Sequence, residues 1–564
     1  MRTHLTRWMA ACGLVVAVLT APFAVAQSAG EAKPVAVVAF AGYEELMKDI
    51  NFIGELGDQK GASDMIDQFV QLFTQGKGLA GFDKTKPIGA IIQTDGQMPS
   101  GAICLPVSDV NALLDVAKGM GVTVDDMGEG VSQIKSPQGA GVFMKTAGSW
   151  ALLSMAPTMF EGLPEDPATL FAPLVKEYDV AAKVIVKDLP EAYRQQAIDA
   201  MSQGGQARIP NESDEDYAER QKGFEAQLAQ MKDFINDLDN VVVGIKIDND
   251  KKNAFFDFAY TALPGTKLAK QIADNSKVTT NFAGFSKPEA AINVQFASAT
   301  SGADVSQIHQ MIDTARAKGS AAIEKTSKIE DGSKAKAKEA LEDFLAAFQK
   351  TLEGGVTDGG ASLELGDNSM SLVAGAYVAD SQKVLDGIKK YAELETTELP
   401  KVELDAETVG DVKFHNVTYK IPAGDEKAKK LLSENGEMIV GVGKNAVYFA
   451  VGADPVAAVK AAIAASAKSP KKAIMPFEMT IGLKQALEFA KSVADEDKKP
   501  LIENLAEAVD SAESGSDHVR LVGEPIKNGI RTRLELQEGV LSAIGKGASQ
   551  ARMQGAGAPG GPGF

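Results

Sequence analysis

Short apolar runs separated by polar turns recur along this chain, and residues 438–465 show the pattern most clearly. Residues 438–442 and 446–451 are rich in β-forming side chains, and only three residues, including a glycine, separate them. This spacing predicts a β-hairpin. Asp454 then occupies a typical helix N-cap, and Pro455 the first helical position, where its missing N–H costs nothing. The stretch therefore predicts a hairpin followed by a helix.

Patterns of this kind recur in the same order from residue 34 and again from residue 288. In the first series the predicted strands are 34–40, 88–93, 102–107, 131–134, 141–145, 150–155, 181–186, 241–247 and 254–260. In the second series they are 291–296, 362–365, 371–378, 413–421, 438–442, 446–451, 477–481, 519–522 and 529–536. Hairpins that alternate with amphipathic helices are typical of largely antiparallel sheets with helices covering one face.

We therefore predict an α+β fold of repeated strand/hairpin–helix modules and, from their order, a tandem duplication. The predicted halves are residues 34–275 and 288–547. The order and spacing of the elements carry this prediction, because residue identity between the halves is low. The alternative is that no duplication occurred, since hairpins lie next to helices in any α+β protein.

The N-terminal residues 1–26 have the pattern of a secretory signal peptide. Arg2 and Arg7 supply the positive segment, residues 13–20 the apolar segment, and residues 24–26 the small-residue cleavage site. The pattern predicts export to the periplasm, the cell envelope or the extracellular space, with removal of the signal.

An uncleaved membrane anchor is the competing interpretation, because residues 8–26 are nearly long enough to cross a bilayer. After residue 26 no run approaches the roughly 18 apolar residues of a membrane-spanning helix, so we expect the cleaved chain to be soluble. Residues 27–33 are expected to form a flexible leader. Residues 548–564 are rich in Gly and Pro, which predicts a disordered tail.

Composition restricts the classes of partner. The chain has 564 residues, a formal net charge of −18 and a pI of about 4.9. An acidic surface repels phosphate, so we expect binding neither to nucleic acid nor, through charge, to anionic membranes. Cys12 lies in the predicted signal, which leaves Cys104 without an intramolecular partner, in an apolar run typical of a buried strand.

Reactive constellations are missing from the sequence. His309, His415 and His518 follow the signal, and none has another His or a Cys at metal-ligand spacing, so we interpret all three as structural. No nucleophile elbow or Walker loop occurs. The glycines at 555, 557 and 560 have the spacing of the Gly-x-Gly-x-x-Gly dinucleotide-binding motif. No predicted strand precedes them, so we interpret the match as chance. The sequence therefore predicts no catalytic, cofactor-binding or metal-ligating residue and no cofactor.

Two further stretches each allow a structural and a functional interpretation. Residues 248–253 alternate Asp and Asn as a calcium loop does, but they lack its central Gly and terminal Glu, so we favour a hairpin turn. The helix predicted over 335–352 has an apolar stripe, which is typical of a helix that docks on a sheet. That stripe is alternatively one wall of a groove for an apolar ligand.

Two segments, AICLPVSDVNALLDVAK at 102–118 and AVYFAVGADPVAAVKAAI at 446–463, carry a family resemblance. With the signal pattern and the acidic body rich in Ala, Gly and Lys, the chain resembles uncharacterised exported proteins of planctomycete-type bacteria. The resemblance covers the layout of most of the chain, includes no diagnostic motif and implies no activity.

Three functional hypotheses remain. The first is an exported, non-catalytic binding or scaffolding protein of the cell envelope, with an envelope protein as one candidate for its unknown partner. The second is a carrier of an apolar, lipid-like ligand in a groove between helices and sheet. The third is a hydrolase that uses carboxylates, which requires a cleft where carboxylates with perturbed pKa values converge. We favour the first, because the sequence contains no reactive constellation.

Overall fold

The computed structural model describes residues 32–57, 59–96, 99–136, 141–206, 208, 212–299, 305–366, 369–396, 399–419, 421 and 437–556. The chain forms two compact units. Unit 1 comprises Met1–Lys270, Lys527–Glu535 and Ile544–Phe564, and unit 2 comprises Gln271–Ile526 and Leu536–Ala543. Both contain helices and antiparallel strands, which confirms the predicted α+β class.

Unit 1 is built around one sheet. Its strands are β1 (Lys33–Phe40), β2 (Ile88–Thr94), β3 (Pro99–Pro106), β4 (Thr123–Gly128), β5 (Val131–Lys135), β6 (Gly141–Ala147), β7 (Trp150–Ser154), β8 (Val180–Val184), β9 (Leu238–Asp248), β10 (Asn253–Ala262) and, up to Glu535, β22 (Gly529–Leu536). The helices up to residue 274 are α1 (Tyr43–Leu56), α2 (Ala62–Phe73), α3 (Val110–Gly119), α4 (Ala168–Val175), α5 (Glu191–Gln206), α6 (Asp214–Asp237) and α7 (Lys267–Asp274).

The strands of unit 1 pair in the order β4-β5-β6-β7-β3-β2-β1-β8-β9-β10-β22. Strand β1 lies inside this sheet, and its almost uninterrupted apolar sequence is buried on both faces, as expected for a central strand. The surrounding core includes Ile91, Trp150, Phe171 and Cys104. The predicted burial of Cys104 is thus confirmed, and burial raises the pKa of its thiol to about 12.

Unit 2 is built around a second series of antiparallel strands. Its strands are β11 (Thr279–Thr280), β12 (Ile292–Ala299), β13 (Val356–Gly366), β14 (Ser369–Tyr377), β15 (Lys401–Val409), β16 (Val412–Thr418), β17 (Glu437–Val442), β18 (Ala446–Val451), β19 (Lys472–Ala473), β20 (Phe477–Gly482) and β21 (His518–Ile526). The remaining helices of the chain are α8 (Val305–Lys325), α9 (Lys334–Glu353), α10 (Ser381–Ala392), α11 (Pro455–Ala467), α12 (Leu483–Val493), α13 (Lys499–Asp510) and α14 (Glu538–Ala556).

The two units share a strand order. Unit 2 pairs its strands as β15-β16-β17-β18-β14-β13-β12-β20-β21, which matches β4-β5-β6-β7-β3-β2-β1-β8-β9 of unit 1 strand for strand. In unit 1, helices α1 and α2 lie between β1 and β2 in the chain. In unit 2, helices α8 and α9 lie at the corresponding place, between β12 and β13. The tandem duplication stays a prediction, and this shared topology is the feature that motivates it.

The hairpin and helix predicted over 438–465 are confirmed as β17, β18 and α11. The two strands pair antiparallel, with Val442 opposite Val447 across a short turn. Asp454 caps α11, because its Oδ1 accepts a hydrogen bond from the Ala457 backbone N–H at 3.0 Å. Pro455 is the first residue of the helix. Local sequence signals were sufficient for this module.

Several predicted boundaries differ from the structure. Residues 548–556, predicted as part of a disordered tail, belong to α14, because Ala, Gln, Arg and Met are strong helix formers and precede the Gly- and Pro-rich end. Residues 557–564 and the predicted signal 1–26 lie outside the described residues. So does most of the predicted leader 27–33, but its last residue, Lys33, is the first residue of β1. Lys527–Glu535, predicted with the second half, lies in unit 1. Within the described ranges, no helix is long and apolar enough to cross a bilayer.

Candidate functional site

The three histidines lie on separate elements. His309 on α8 is half exposed, and its Nε2 lies 2.9 Å from the Glu353 carboxylate. His415 in β16 is fully buried, and its Nδ1 accepts a hydrogen bond from the Asp405 backbone N–H at 3.1 Å. His518 lies in β21 and is partly exposed. Among the described residues, no group of three or more His, Cys, Asp or Glu side chains is placed to hold a metal ion.

Residues 248–253 form the turn between β9 and β10, as the favoured interpretation predicted. Asp248 Oδ1 accepts a hydrogen bond from the Lys251 backbone N–H at 3.0 Å, and its other oxygen pairs with Lys251 Nζ at 2.8 Å. Lys252 adopts a positive φ of 52°. The Asn249 side chain leaves the turn and contacts Asp49 on α1, 200 residues away in the chain, so sequence reasoning did not predict this contact.

Helix α2 exposes an apolar face. Met65, Phe69, Leu72 and Phe73 are 59%, 61%, 79% and 61% exposed, and their spacing places them on one side of the helix. The Phe69 and Phe73 rings lie against each other, with 5.3 Å between centroids. Large apolar side chains grouped in this way on a surface are typical of a contact site.

The other side of α2 is fastened to α1. The Ser63 backbone N–H donates a hydrogen bond to Asn51 Oδ1 at 3.0 Å, and the Tyr43 hydroxyl donates one to Asp67 Oδ1 at 2.6 Å. Burial and the neighbouring Asp67 carboxylate raise the pKa of Tyr43 to about 12, so its hydroxyl stays protonated. The exposed apolar face is therefore a second face of α2, additional to the one that packs on the protein.

The rim of this apolar face is acidic. The sequence of α2 contains Asp64 and Asp67 and neither Lys nor Arg. Asp64 is exposed. The charged residues of α2 itself are thus both acidic, in keeping with the net charge of −18 for the whole chain.

Unit 2 contains a small aromatic pocket beside the module at 438–465. The rings of Phe285 and Tyr448 are stacked, with centroids 5.6 Å apart and planes at 12°. Phe282 and Ile463, the latter from α11, complete the apolar part of a space of about 220 Å³. Burial raises the pKa of Tyr448 above its usual range. The hairpin and helix at 438–465 therefore also line a pocket.

A buried polar cluster in unit 1 brings two carboxylates together. Asp49 Oδ1 accepts a hydrogen bond from Asn249 Nδ2 at 2.8 Å. Asp179 accepts hydrogen bonds from Lys246 Nζ and from the Ile247 backbone N–H, both at 2.6 Å. Burial, reinforced by the negative charge of Asp179, raises the pKa of Asp49 to about 6.

This cluster does not have the accessibility of a hydrolytic site. Asp49 and Asp179 are each only 3% exposed. A substrate cannot reach either carboxylate in this conformation, and a general acid or base must lie within hydrogen-bond reach of the proton it transfers. The cluster meets one condition for catalysis, a perturbed carboxylate, and fails the other, an open cleft.

Comparison with known proteins adds no identity. No protein-family model matches the chain, and searches of curated proteins and of solved structures found no match.

Proposed function

We propose that this chain is an exported, non-catalytic binding protein of the cell envelope and that the exposed face of α2 contacts its partner. The face supplies four large apolar side chains, Met65, Phe69, Leu72 and Phe73, which otherwise remain in water. Burying such side chains stabilises a complex by about 25 cal/mol for each Å² of apolar area removed from solvent. The signal pattern of residues 1–26 supports export.

The partner that fits this face is a protein segment with apolar side chains and flanking Lys or Arg. The apolar side chains match the exposed face of α2, and the basic flanks match the exposed Asp64 carboxylate beside that face. An anionic bilayer is a poor occupant, because the negative charge of the rim and of the whole chain repels it.

A small apolar ligand is the second candidate, and the stack of Phe285 on Tyr448 is the observation that favours it. Ligand sites usually enclose about 300–1,000 Å³. The pocket encloses about 220 Å³, so it accepts one ring or a short branched chain rather than a whole lipid. The proposal of a carboxylate hydrolase has weaker support, since Asp49 and Asp179 are both buried.

Photo-crosslinking in the cells that make the protein tests the binding proposal. A photo-reactive phenylalanine analogue placed at Leu72 is expected to give an adduct with one other protein. The adduct should disappear when Met65→Ser and Phe69→Ser are added, and it should weaken at high salt. The same analogue at Lys135, a partly exposed position in β5, is the control and should give no such adduct.

The crosslinked peptide decides the nature of the partner. A mapped segment with apolar side chains and Lys or Arg flanks supports the proposal. A lipid adduct, a self-adduct, a polar or acidic segment, or the absence of any adduct at Leu72 contradicts it.

A further inference from the structure

Two buried oxygens, one on α1 and one in the β9–β10 turn, have no hydrogen-bond donor in the described part of the chain. Asp49 and Asn249 are joined by the hydrogen bond from Asn249 Nδ2 to Asp49 Oδ1. Their other oxygens, Asp49 Oδ2 and Asn249 Oδ1, are both buried and unpartnered. An ionised carboxylate and an amide oxygen are acceptors only, so neither satisfies the other. Each buried acceptor left without a partner costs about 1–3 kcal/mol.

A single proton satisfies both oxygens. We propose that in mildly acidic solution Asp49 is a protonated carboxylic acid, which forms two reciprocal hydrogen bonds with the Asn249 amide and fastens α1 to the β9–β10 turn. Asp49 Oδ2–H donates to Asn249 Oδ1, while Asn249 Nδ2–H donates to Asp49 Oδ1. Both groups are planar, so the two hydrogen bonds form side by side. Solvent supplies the proton, and no other bond is made or broken.

The charged groups around Asp49 favour its protonated form. Burial opposes a charge at this position, and Asp179 and Glu45, which lies one helical turn earlier on α1, add negative charge. Lys246 is the positive group that faces Asp49, but its Nζ is already hydrogen-bonded to the Asp179 carboxylate at 2.6 Å. Asn249 is neutral. The arrangement therefore retains a proton on Asp49 to a higher pH than an exposed Asp does.

The proton makes the contact sensitive to pH. When Asp49 loses it, one of the two hydrogen bonds is lost, and a carboxylate oxygen then faces the Asn249 amide oxygen. The contact between α1 and the turn weakens as a result. Because α1 also holds α2 through Asn51 and Tyr43, loosening at Asp49 reaches the helix that bears the exposed apolar face. The proposed pH dependence of the contact between Asp49 and Asn249 does not depend on whether the exposed face of α2 binds a partner.

The titration of Asp49 tests the proposal in the full-length chain. The ¹³Cγ resonance of Asp49, assigned by its absence in Asp49→Asn, is expected to titrate with a midpoint of about 6. A midpoint near 3.8, the ordinary value for Asp, would show an unperturbed carboxylate and overturn the proposal. The titration is measured in the unaltered chain, so its outcome does not depend on whether a variant keeps the contact between Asp49 and Asn249.

Hydrogen exchange of the turn 248–253 provides the second readout. From pH 5 to pH 8, exchange corrected for intrinsic rates should become about tenfold faster in the unaltered chain, because one buried hydrogen bond is lost. Asp49→Asn keeps two reciprocal amide hydrogen bonds, so its protection should not change with pH. Asn249→Leu should be poorly protected at both pH values.

Glu55→Gln removes a carboxylate from the exposed surface of α1 and is the matched control. It should keep the pH response of the unaltered chain. An Asp49→Asn chain that keeps the same response would contradict the proposal.

Discussion

Arg533 donates two hydrogen bonds to the buried carboxylate of Asp257, which lies 276 residues earlier in the chain. Its Nε lies 2.8 Å from Asp257 Oδ1 and its Nη2 lies 2.7 Å from Oδ2. The guanidinium also stacks on the ring of Phe255, 3.7 Å from its centroid, and the Tyr178 hydroxyl donates a third hydrogen bond to Asp257. A bidentate pair of this kind fixes both distance and orientation. It thereby holds strand β22 in unit 1.

Replacing Arg533 is expected to destabilise unit 1. In Arg533→Gln the fully buried Asp257 carboxylate loses its hydrogen-bonded counter-charge but keeps Arg531, whose Nε lies 3.7 Å from Asp257 Oδ2. Loss of one partner of a buried ion pair costs about 3–5 kcal/mol, and because Arg531 remains we expect a cost near the lower end of that range. Denaturant unfolding followed by the fluorescence of Trp150 in unit 1 measures the change. Lys135→Gln breaks an exposed ion pair with Asp125 in the same unit and should cost less than about 1 kcal/mol. Equal costs for the two variants would show that the Arg533 pair adds nothing beyond an ordinary surface contact.

The buried His415 predicts that unit 2 loses stability in acid. Burial lowers the pKa of His415 below its ordinary value of 6.5, so the folded chain holds this ring neutral. The unfolded chain binds a proton there more readily. The stabilisation is therefore complete above about pH 6.5 and is lost as the pH falls towards the folded pKa.

Two measurements check the His415 prediction. In a histidine NMR titration, the His415 ring should titrate below 6.5. Exchange of amides in β15 and β16 should accelerate from about pH 7.5 to about pH 5, and His415→Gln should reduce that acceleration. A His415 midpoint at or above 6.5 would refute the assignment.

Gly375 in β14 is expected to tolerate no side chain. A Cβ at this position would lie 2.8 Å from the Phe285 ring and 2.9 Å from the Phe282 ring, closer than carbon atoms approach without displacement. Gly375→Ala should therefore cost about 1–3 kcal/mol and disturb the stack of Phe285 on Tyr448. Thermal unfolding and the near-ultraviolet circular dichroism of the aromatic rings measure the two effects.

Gly332→Ala is the matched control in unit 2, because a Cβ there meets nothing within 4 Å. It should change stability by less than about 0.5 kcal/mol. If Gly375→Ala were equally neutral, the close contact of the two phenylalanines with the strand would not determine the packing.

Sequence patterns predicted the elements whose determinants lie close together in the chain. The hairpin and helix at 438–465 follow from two β-rich runs, a short turn and the Asp454–Pro455 start of α11. The burial of Cys104 and the turn at 248–253 follow equally from their immediate neighbours. Each of these features depends on contacts within a few residues, where local preference and final structure agree.

The candidate sites could not be read in the same way. The apolar residues of α2 form one stripe along the helix, which is ordinarily the buried side. The sequence does not indicate that most of this stripe stays exposed in the folded chain. The Tyr448 ring likewise became part of a pocket only because Phe285, far from it in sequence, stacks upon it.

The sequence by itself determined the α+β class, the hairpin modules and the acidic character of the chain, because these depend on composition and on spacing along the backbone. Tertiary structure alone decided that Asn249 meets Asp49 across 200 residues and that Arg533 meets Asp257 across 276. The physical reason is burial. Burial removes a carboxylate from water, which shifts its pKa and makes its hydrogen-bond partners important for stability. Which carboxylates are buried depends on which segments pack together rather than on the neighbouring residues in the sequence.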